Sequence, residues 1–219
     1  MTQDLLPDHL SSYLDELVPP RPPEMLAMER HAQQISFNII GPASGQLCYQ
    51  IARISGARRI FEMGSGFGYS TAWFARAVQQ NGGGEVYHVV WDSELSQQAR
   101  RHLEALGYGS PDSAVAIQYR VSEAIQALKE TEGPFDLIFN DIDKHAYPES
   151  LPVIRAKLRP GGVLIVDNLL WHGRIFDSSD QTADTAGVRE FTRLMTTDAD
   201  WVTTIVPIRD GVLVAYKVP

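Results

Sequence analysis

From Arg59 to Val166 the chain alternates between short apolar runs and longer stretches whose apolar residues recur at helical spacing. The runs Arg59–Met63, Glu85–Trp91, Ala114–Val121, Phe135–Asn140 and Val163–Val166 read as strands. Val163–Val166 is apolar throughout, as a strand covered on both faces must be. Helices are predicted over Ala43–Ser55, Ser70–Gln80, Glu94–Leu106, Ser122–Lys129 and Pro148–Leu158. Gly56 and Gly107 end the first and third, and Arg159-Pro160-Gly161-Gly162 reads as a turn after the last. A further helix, Thr185–Met195, leads to strands Val202–Ile208 and Val212–Val218. Only Arg209-Asp210-Gly211 separates these two, which reads as a hairpin. The pattern predicts a doubly wound α/β sheet, mostly parallel, ending in an antiparallel pair.

The first 35 residues stand outside this alternation. Prolines 19, 20, 22 and 23 interrupt any helix, because proline lacks the N–H and fixes φ. Short helices are expected over Ser11–Leu17 and Pro23–Ile35, with Pro23 suited to a first turn. Residues 1–35 are therefore read as an N-terminal helical arm packed on a main domain, residues 36–219, and expected to shape the acceptor site and dimer contacts.

Composition narrows the classes. A length of 219 residues fits one domain. The single cysteine, Cys48, excludes an internal disulfide scaffold and lies on an apolar helical face, where a buried small hydrophobe is expected. No run of about 18 apolar residues predicts a membrane span. Met1-Thr2-Gln3-Asp4 opens no basic-then-apolar leader, so a cytoplasmic location is expected. The net charge of −8 argues against nucleic acid as a partner, since that binding needs Lys and Arg against phosphates.

In doubly wound sheets ligands bind beyond the carboxyl ends of the strands. Five segments there carry chemistry: Glu62–Ser70, Asp92, Ser122–Ala124, Asp141–Lys144 and Asp167–Asn168. The turn Glu62-Met63-Gly64-Ser65-Gly66-Phe67-Gly68-Tyr69-Ser70 has three alternating glycines, which let backbone approach a ligand. The dinucleotide fingerprint needs a glycine where Tyr69 stands, and Glu62 suits a ligand with a cationic end better than a pyrophosphate. Asp92 can accept bonds from ribose hydroxyls or cap the following helix, a role open also to Ser93. Ser122-Glu123-Ala124 can shape an adenine pocket, or Ser122 can cap a helix with Glu123 in its first turn. Trp73 and Phe74 follow helical spacing and belong to the core.

These residues resemble the class I S-adenosylmethionine-dependent methyltransferases, and among them the cation-dependent catechol and caffeoyl-CoA O-methyltransferases. The resemblance rests on the glycine turn, on Phe135-Asp136-Leu137-Ile138-Phe139-Asn140-Asp141-Ile142-Asp143-Lys144, and on Gly161-Gly162-Val163-Leu164-Ile165-Val166-Asp167-Asn168 with Trp171 and Gly173. It spans roughly residues 35–218 and implies a seven-stranded Rossmann-like sheet with a reversed last strand and a homodimer. It also implies that Gly64, Ser65, Gly66, Tyr69 and Ser70 line the methionine end of the cofactor, with Glu62 nearby, and that Asp92 holds the ribose. Glu123 and Ala124 would meet the adenine, and Asn38, Ile40 and Asp141 would complete the cofactor site. Asp141, Asp167 and Asn168 match the family's divalent-metal ligands, and Lys144 its general base. The chain departs from the pattern at Ser122-Glu123-Ala124, where many relatives have Gly-Asp-Ala, and at Ile142, where a small residue is common.

Methyl transfer from a sulfonium is a direct displacement, so the protein must align the partners and make the nucleophile reactive. A phenol with a pKa near 10 is ionised in about one molecule per thousand at pH 7, a penalty of roughly 4 kcal/mol. A divalent cation offsets this, and an all-oxygen ligand set suits Mg²⁺ first, with Ca²⁺ and Mn²⁺ behind, rather than zinc. Lys144, near a cation and partly desolvated, can take the phenolic proton; otherwise it is a surface lysine or pairs with Asp143. Trp171, Tyr147 and Arg174 are read as lining the pocket of a small aromatic acceptor, with His145 and His172 flanking it. The competing readings are a methyltransferase without metal, a nucleotide-dependent oxidoreductase and a non-catalytic binding module.

Overall fold

A computed structural model describes residues 8–219; the reading of Met1-Thr2-Gln3-Asp4 lies outside the described residues. Strands β1 (Arg59–Met63), β2 (Gly84–Val90), β3 (Val115–Val121), β4 (Phe135–Asn140), β5 (Leu158–Val166), β6 (Trp201–Val206) and β7 (Val212–Lys217) form one sheet. Their order is β3-β2-β1-β4-β5-β7-β6, parallel up to β5, with β7 antiparallel to both β5 and β6. This is the predicted sheet, with its reversed final pair. The strand order turns back at β1, whose neighbours are β2 and β4, so a crevice opens beyond the carboxyl ends of those three strands.

The helices are α1 (Asp8–Glu16), α2 (Pro23–Gln34), α3 (Gly41–Ile54), α4 (Tyr69–Gln80), α5 (Ser93–Ala105), α6 (Ala124–Glu130), α7 (Tyr147–Lys157) and α8 (Ala183–Thr197). Alternation along the strands divides the core into two layers. Ile60, Leu137, Phe139 and Ile165 face Trp73, Phe74 and Val78 of α4. Phe61, Ile138, Leu164 and Val166 face Leu128 of α6, Ile154 of α7 and Phe191 of α8. Trp73, Phe74 and Cys48 are buried as their spacing predicts. Met25, Met28 and Ala32 bury one side of α2 in the first layer, and Asp15 of α1 accepts a hydrogen bond from Ala43 N at the start of α3.

Two local expectations need correction. Arg159–Gly162 is not a turn after the helix but part of β5. Pairing runs from Phe135↔Leu158 to Leu137↔Val163, so β4 advances two residues while β5 advances five, and the surplus bulges out. The sixth helix begins at Ala124 rather than Ser122, because Glu123, not Ser122, is its cap: its carboxylate accepts from Ile125 N and Gln126 N at 2.8 and 2.7 Å.

Candidate active site at the carboxyl ends of the strands

The glycine turn is pinned on both sides. Asp141 N donates to Met63 O (2.9 Å), and Ser65 donates from N to Val89 O and accepts at Oγ from Val89 N, both at 2.9 Å. Gly64 sits at φ +85°, and a Cβ there would lie 2.3 Å from the Asp141 carbonyl. Only glycine lets the turn pass this close to the end of β4. Beyond it opens a cavity of about 500 Å³, lined by Asn38, Ile40, Gly64, Ser65, Gly66, Tyr69, Ser70, Glu123, Ala124 and Asp141. Ten of the residues assigned by resemblance to the cofactor thus share one cavity.

Glu62 and Asp92 are the exceptions. Glu62 is fully buried beneath the glycine turn, pointing into the layer under α4, and does not line the cavity. Its Oε2 accepts from Thr71 Oγ1 at 2.5 Å, and Thr71 Oγ1 lies 3.0 Å from Nδ1 of the equally buried His88. Burial pushes the Glu62 carboxyl up to about 7, against the bond from Thr71, and pushes His88 down to about 3. Asp92 serves as the cap of α5, its Oδ1 accepting from Glu94 N and Leu95 N at 2.7 and 3.0 Å. Ser93 does not take that role, and the cavity wall here is Val90, Trp91 and Leu95. Trp91, 78% exposed, is a wall residue that the sequence pattern hid, because it closed an apolar strand.

A second cavity of about 420 Å³ adjoins the first; the two share Asn38, Ile39 and Asp141 through Lys144. Asp141 follows β4, and Asp167 and Asn168 follow β5, so parallel neighbours bring all three to one wall. Asp167 is 3% exposed, and its Oδ1 has no hydrogen-bond partner. Burial, with the charge of Asp141 behind it, pushes the Asp167 carboxyl up to about 7. Lys144 Nζ lies 2.7 Å from Asp141 Oδ1 and 3.1 Å from Ile142 O, so its partner is Asp141 and not Asp143. Two carboxylates and an amide form the wall; among the described residues no group of three His, Cys, Asp or Glu side chains is placed to hold a metal. The residue types nevertheless fit a hard cation, since a buried carboxylate oxygen without a hydrogen-bond partner belongs to a cavity that a second carboxylate and an amide also line.

Of the residues assigned to the acceptor pocket, Trp171 lines this second cavity, with His172. Tyr147 does not: it is fully buried below the wall and donates from Oη to Asp167 O at 2.9 Å. Arg174 is turned away by Asp180 and Thr182, which accept from its Nε and Nη2 at 2.7 and 3.0 Å. His145 pairs with Asp184 at 3.0 Å, outside the lining. Asp15, Arg209 and Asp210 also line the cavity; the arm is expected at the acceptor site, but neither it nor the hairpin turn carries a motif that singles these residues out.

The O-methyltransferase family matches residues 21–218. The chain belongs to that family. It is 30% identical over 160 residues to the catechol O-methyltransferase of Niastella koreensis, covering 71% of this chain and 69% of that one. The O-methyltransferase TomG of Streptomyces achromogenes, involved in tomaymycin synthesis and solved with S-adenosylmethionine, is 25% identical and superposes with a TM-score of 0.81 over 96% of each chain. An O-methyltransferase of Bacillus cereus, solved with S-adenosylhomocysteine, shares the fold at 24% identity, TM-score 0.81, 95% of this chain and 97% of that one. The protein is an S-adenosylmethionine-dependent O-methyltransferase, which retires the oxidoreductase and binding-module readings.

Proposed function

We propose that this O-methyltransferase transfers the methyl group to one hydroxyl of a catechol-type aromatic, with a divalent cation as cofactor, Mg²⁺ foremost. One observation carries the reading. The cavity with the glycine turn and the cavity with Asp141, Asp167 and Asn168 share the segment Asp141–Lys144. A methyl donor in the first and a hydroxyl in the second meet beside Lys144. Asp141, Asp167 and Asn168 would hold the cation, which when bound supplies the charge that lowers a phenol's pKa. The Niastella relative's name supports a catechol acceptor.

This chain's residues do the rest. Lys144 Nζ is only partly exposed, and it is held between Asp141 and the Ile142 carbonyl at the junction of the cavities. As the free amine, giving its two N–H groups to Asp141 and the Ile142 carbonyl, it keeps its lone pair for the phenolic proton as the new O–C bond forms and the sulfonium C–S bond breaks, the electron pair leaving on sulfur. Trp171, whose ring centroid is 5.8 Å from Lys144 Nζ, gives an aromatic ring a flat wall on the acceptor side.

The metal-free reading has its own support, because Lys144 already supplies Asp141 with a cation. Turnover of a neutral catechol with S-adenosylmethionine, before and after EDTA, separates the two. Loss on chelation and recovery with Mg²⁺ are expected; full activity in EDTA selects the metal-free enzyme. Lys144→Ala should lower kcat at least ~100-fold, the usual reach of a general base, with S-adenosylhomocysteine affinity held within about twofold.

A further inference from the structure

After β5 the backbone enters the left-handed region at Asn168 (φ 61°), Trp171 (45°) and His172 (51°). Asparagine and histidine are among the residues that tolerate this; tryptophan does so only where surrounding contacts hold it. Those contacts come from the turn between β6 and β7. Leu169 N donates to Gly211 O at 2.9 Å and Leu170 N to Asp210 O at 2.8 Å. A Cβ on Gly211, itself at φ +83°, would meet Leu170 N at 2.9 Å, so the hairpin turn presses directly on the segment. The Asp210 side chain, 8% exposed, then grips both ends: Oδ1 accepts from His172 N at 2.5 Å and Oδ2 from Asn168 Nδ2 at 3.2 Å.

We propose that Asp210 is a positioning residue of the active site: one carboxylate fixes the Asn168 amide and clamps the strained turn that carries Trp171. A carboxylate can only accept, so it compels Asn168 to present Nδ2 to it and turns the amide oxygen away as a free donor. The hydrogen bond to His172 N closes the far end of the turn, which holds Trp171 and His172 against the cavity. In its first part the inference rests on the metal reading above; the clamp does not.

Two variants separate the roles. In Asp210→Asn the side-chain oxygen still accepts from His172 N, but the amide nitrogen cannot accept from Asn168. Mn²⁺ affinity, read from the free-ion electron spin resonance signal, should weaken about tenfold or more, as loss of a ligand's orienting partner does. In Asp210→Ala both bonds go, and hydrogen exchange at the His172 amide should rise at least tenfold. Affinity for S-adenosylhomocysteine should stay within about twofold in both variants, because Asp210 lies outside the first cavity. The proposal is overturned if Asp210→Asn holds Mn²⁺ as the parent does. It is equally overturned if exchange in Asp210→Ala is unchanged, or is raised across the whole sheet rather than within 168–173. If the parent itself takes up no Mn²⁺, the metal reading fails, and the exchange measurement alone decides the clamp.

Discussion

Glu62 illustrates how a residue can matter to a site it does not touch. Its strand register aims it at α4, where Thr71 and His88 are the polar neighbours, and Oε1 is left without a partner. The folded protein therefore favours the neutral acid, with a pKa of about 7 against 4.5 for the ordinary carboxyl. Between those values the native state binds more protons than the unfolded chain, so the sign is negative: stability from this group is complete at low pH and declines as pH rises through 7. The shift converts to ~3 kcal/mol at about 1.4 per unit, an order of magnitude. Glu62→Gln should abolish this term, making the variant more stable than its parent at pH 8 and closer to it at pH 5. Urea denaturation of both proteins across that range checks it, and a pH-independent difference would refute the assignment. His88 acts in the opposite sense, its depressed pKa costing stability as pH falls from about 6.5, and it cancels in the comparison because both proteins carry it.

Elements are where the sequence was most legible, and their ends where it was least. The apolar runs located β1 and β4 to the residue, since a buried parallel strand has no polar face to blur its limits. Asp92 is open in sequence to a ribose or a cap, and Glu123 to an adenine pocket or a first turn; in the structure both are caps. A carboxylate at a strand-to-helix junction satisfies either a ligand or the orphan helix N–H groups, and composition does not separate the two. Asp141, Asp167 and Asn168, singled out at two strand ends, do reach one wall, because β4 and β5 are parallel neighbours and send consecutive strand ends the same way. Tyr147 and Arg174 were misplaced because side-chain direction depends on packing that periodicity does not encode. The glycine turn gives the sharpest test at this scale. Gly64→Ala would place a methyl 2.3 Å from the Asp141 carbonyl at a positive φ. It should lower stability by about 2 kcal/mol or more, since strain of this kind alone costs 1–3. By pushing apart the ends of β1 and β4 it should also abolish S-adenosylhomocysteine binding in calorimetry. A variant that binds normally would mean the loop can shift without consequence.

The charge of the whole molecule, −8, acquires direction at the second cavity. Six aspartates line it, against Lys144 and Arg209. Asp141 and Asp167 are answered by Lys144 and by the proposed cation, and Asp210 by its bonds to the 168–172 turn. Of the other three, Asp15 accepts from Ala43 N, Asp184 is shared with His145, and Asp143 is exposed. Arg209 is exposed, but one arm of its guanidinium is bonded to the Ile39 carbonyl. An acceptor entering this cavity crosses a field that attracts a cation and repels an anion, and low-dielectric walls concentrate such fields. Catechols matched in size but bearing an ammonium or a carboxylate tail should therefore differ in kcat/KM by about tenfold at low ionic strength, the ammonium favoured. The gap should narrow at ~0.5 M salt, where the screening length falls to a few ångströms. Asp143→Asn should shrink it as well, because Asp143 lines both cavities and no hydrogen bond ties its carboxylate elsewhere. A preference for the carboxylate at low salt would instead assign recognition to Arg209, and Arg209→Gln would then remove it.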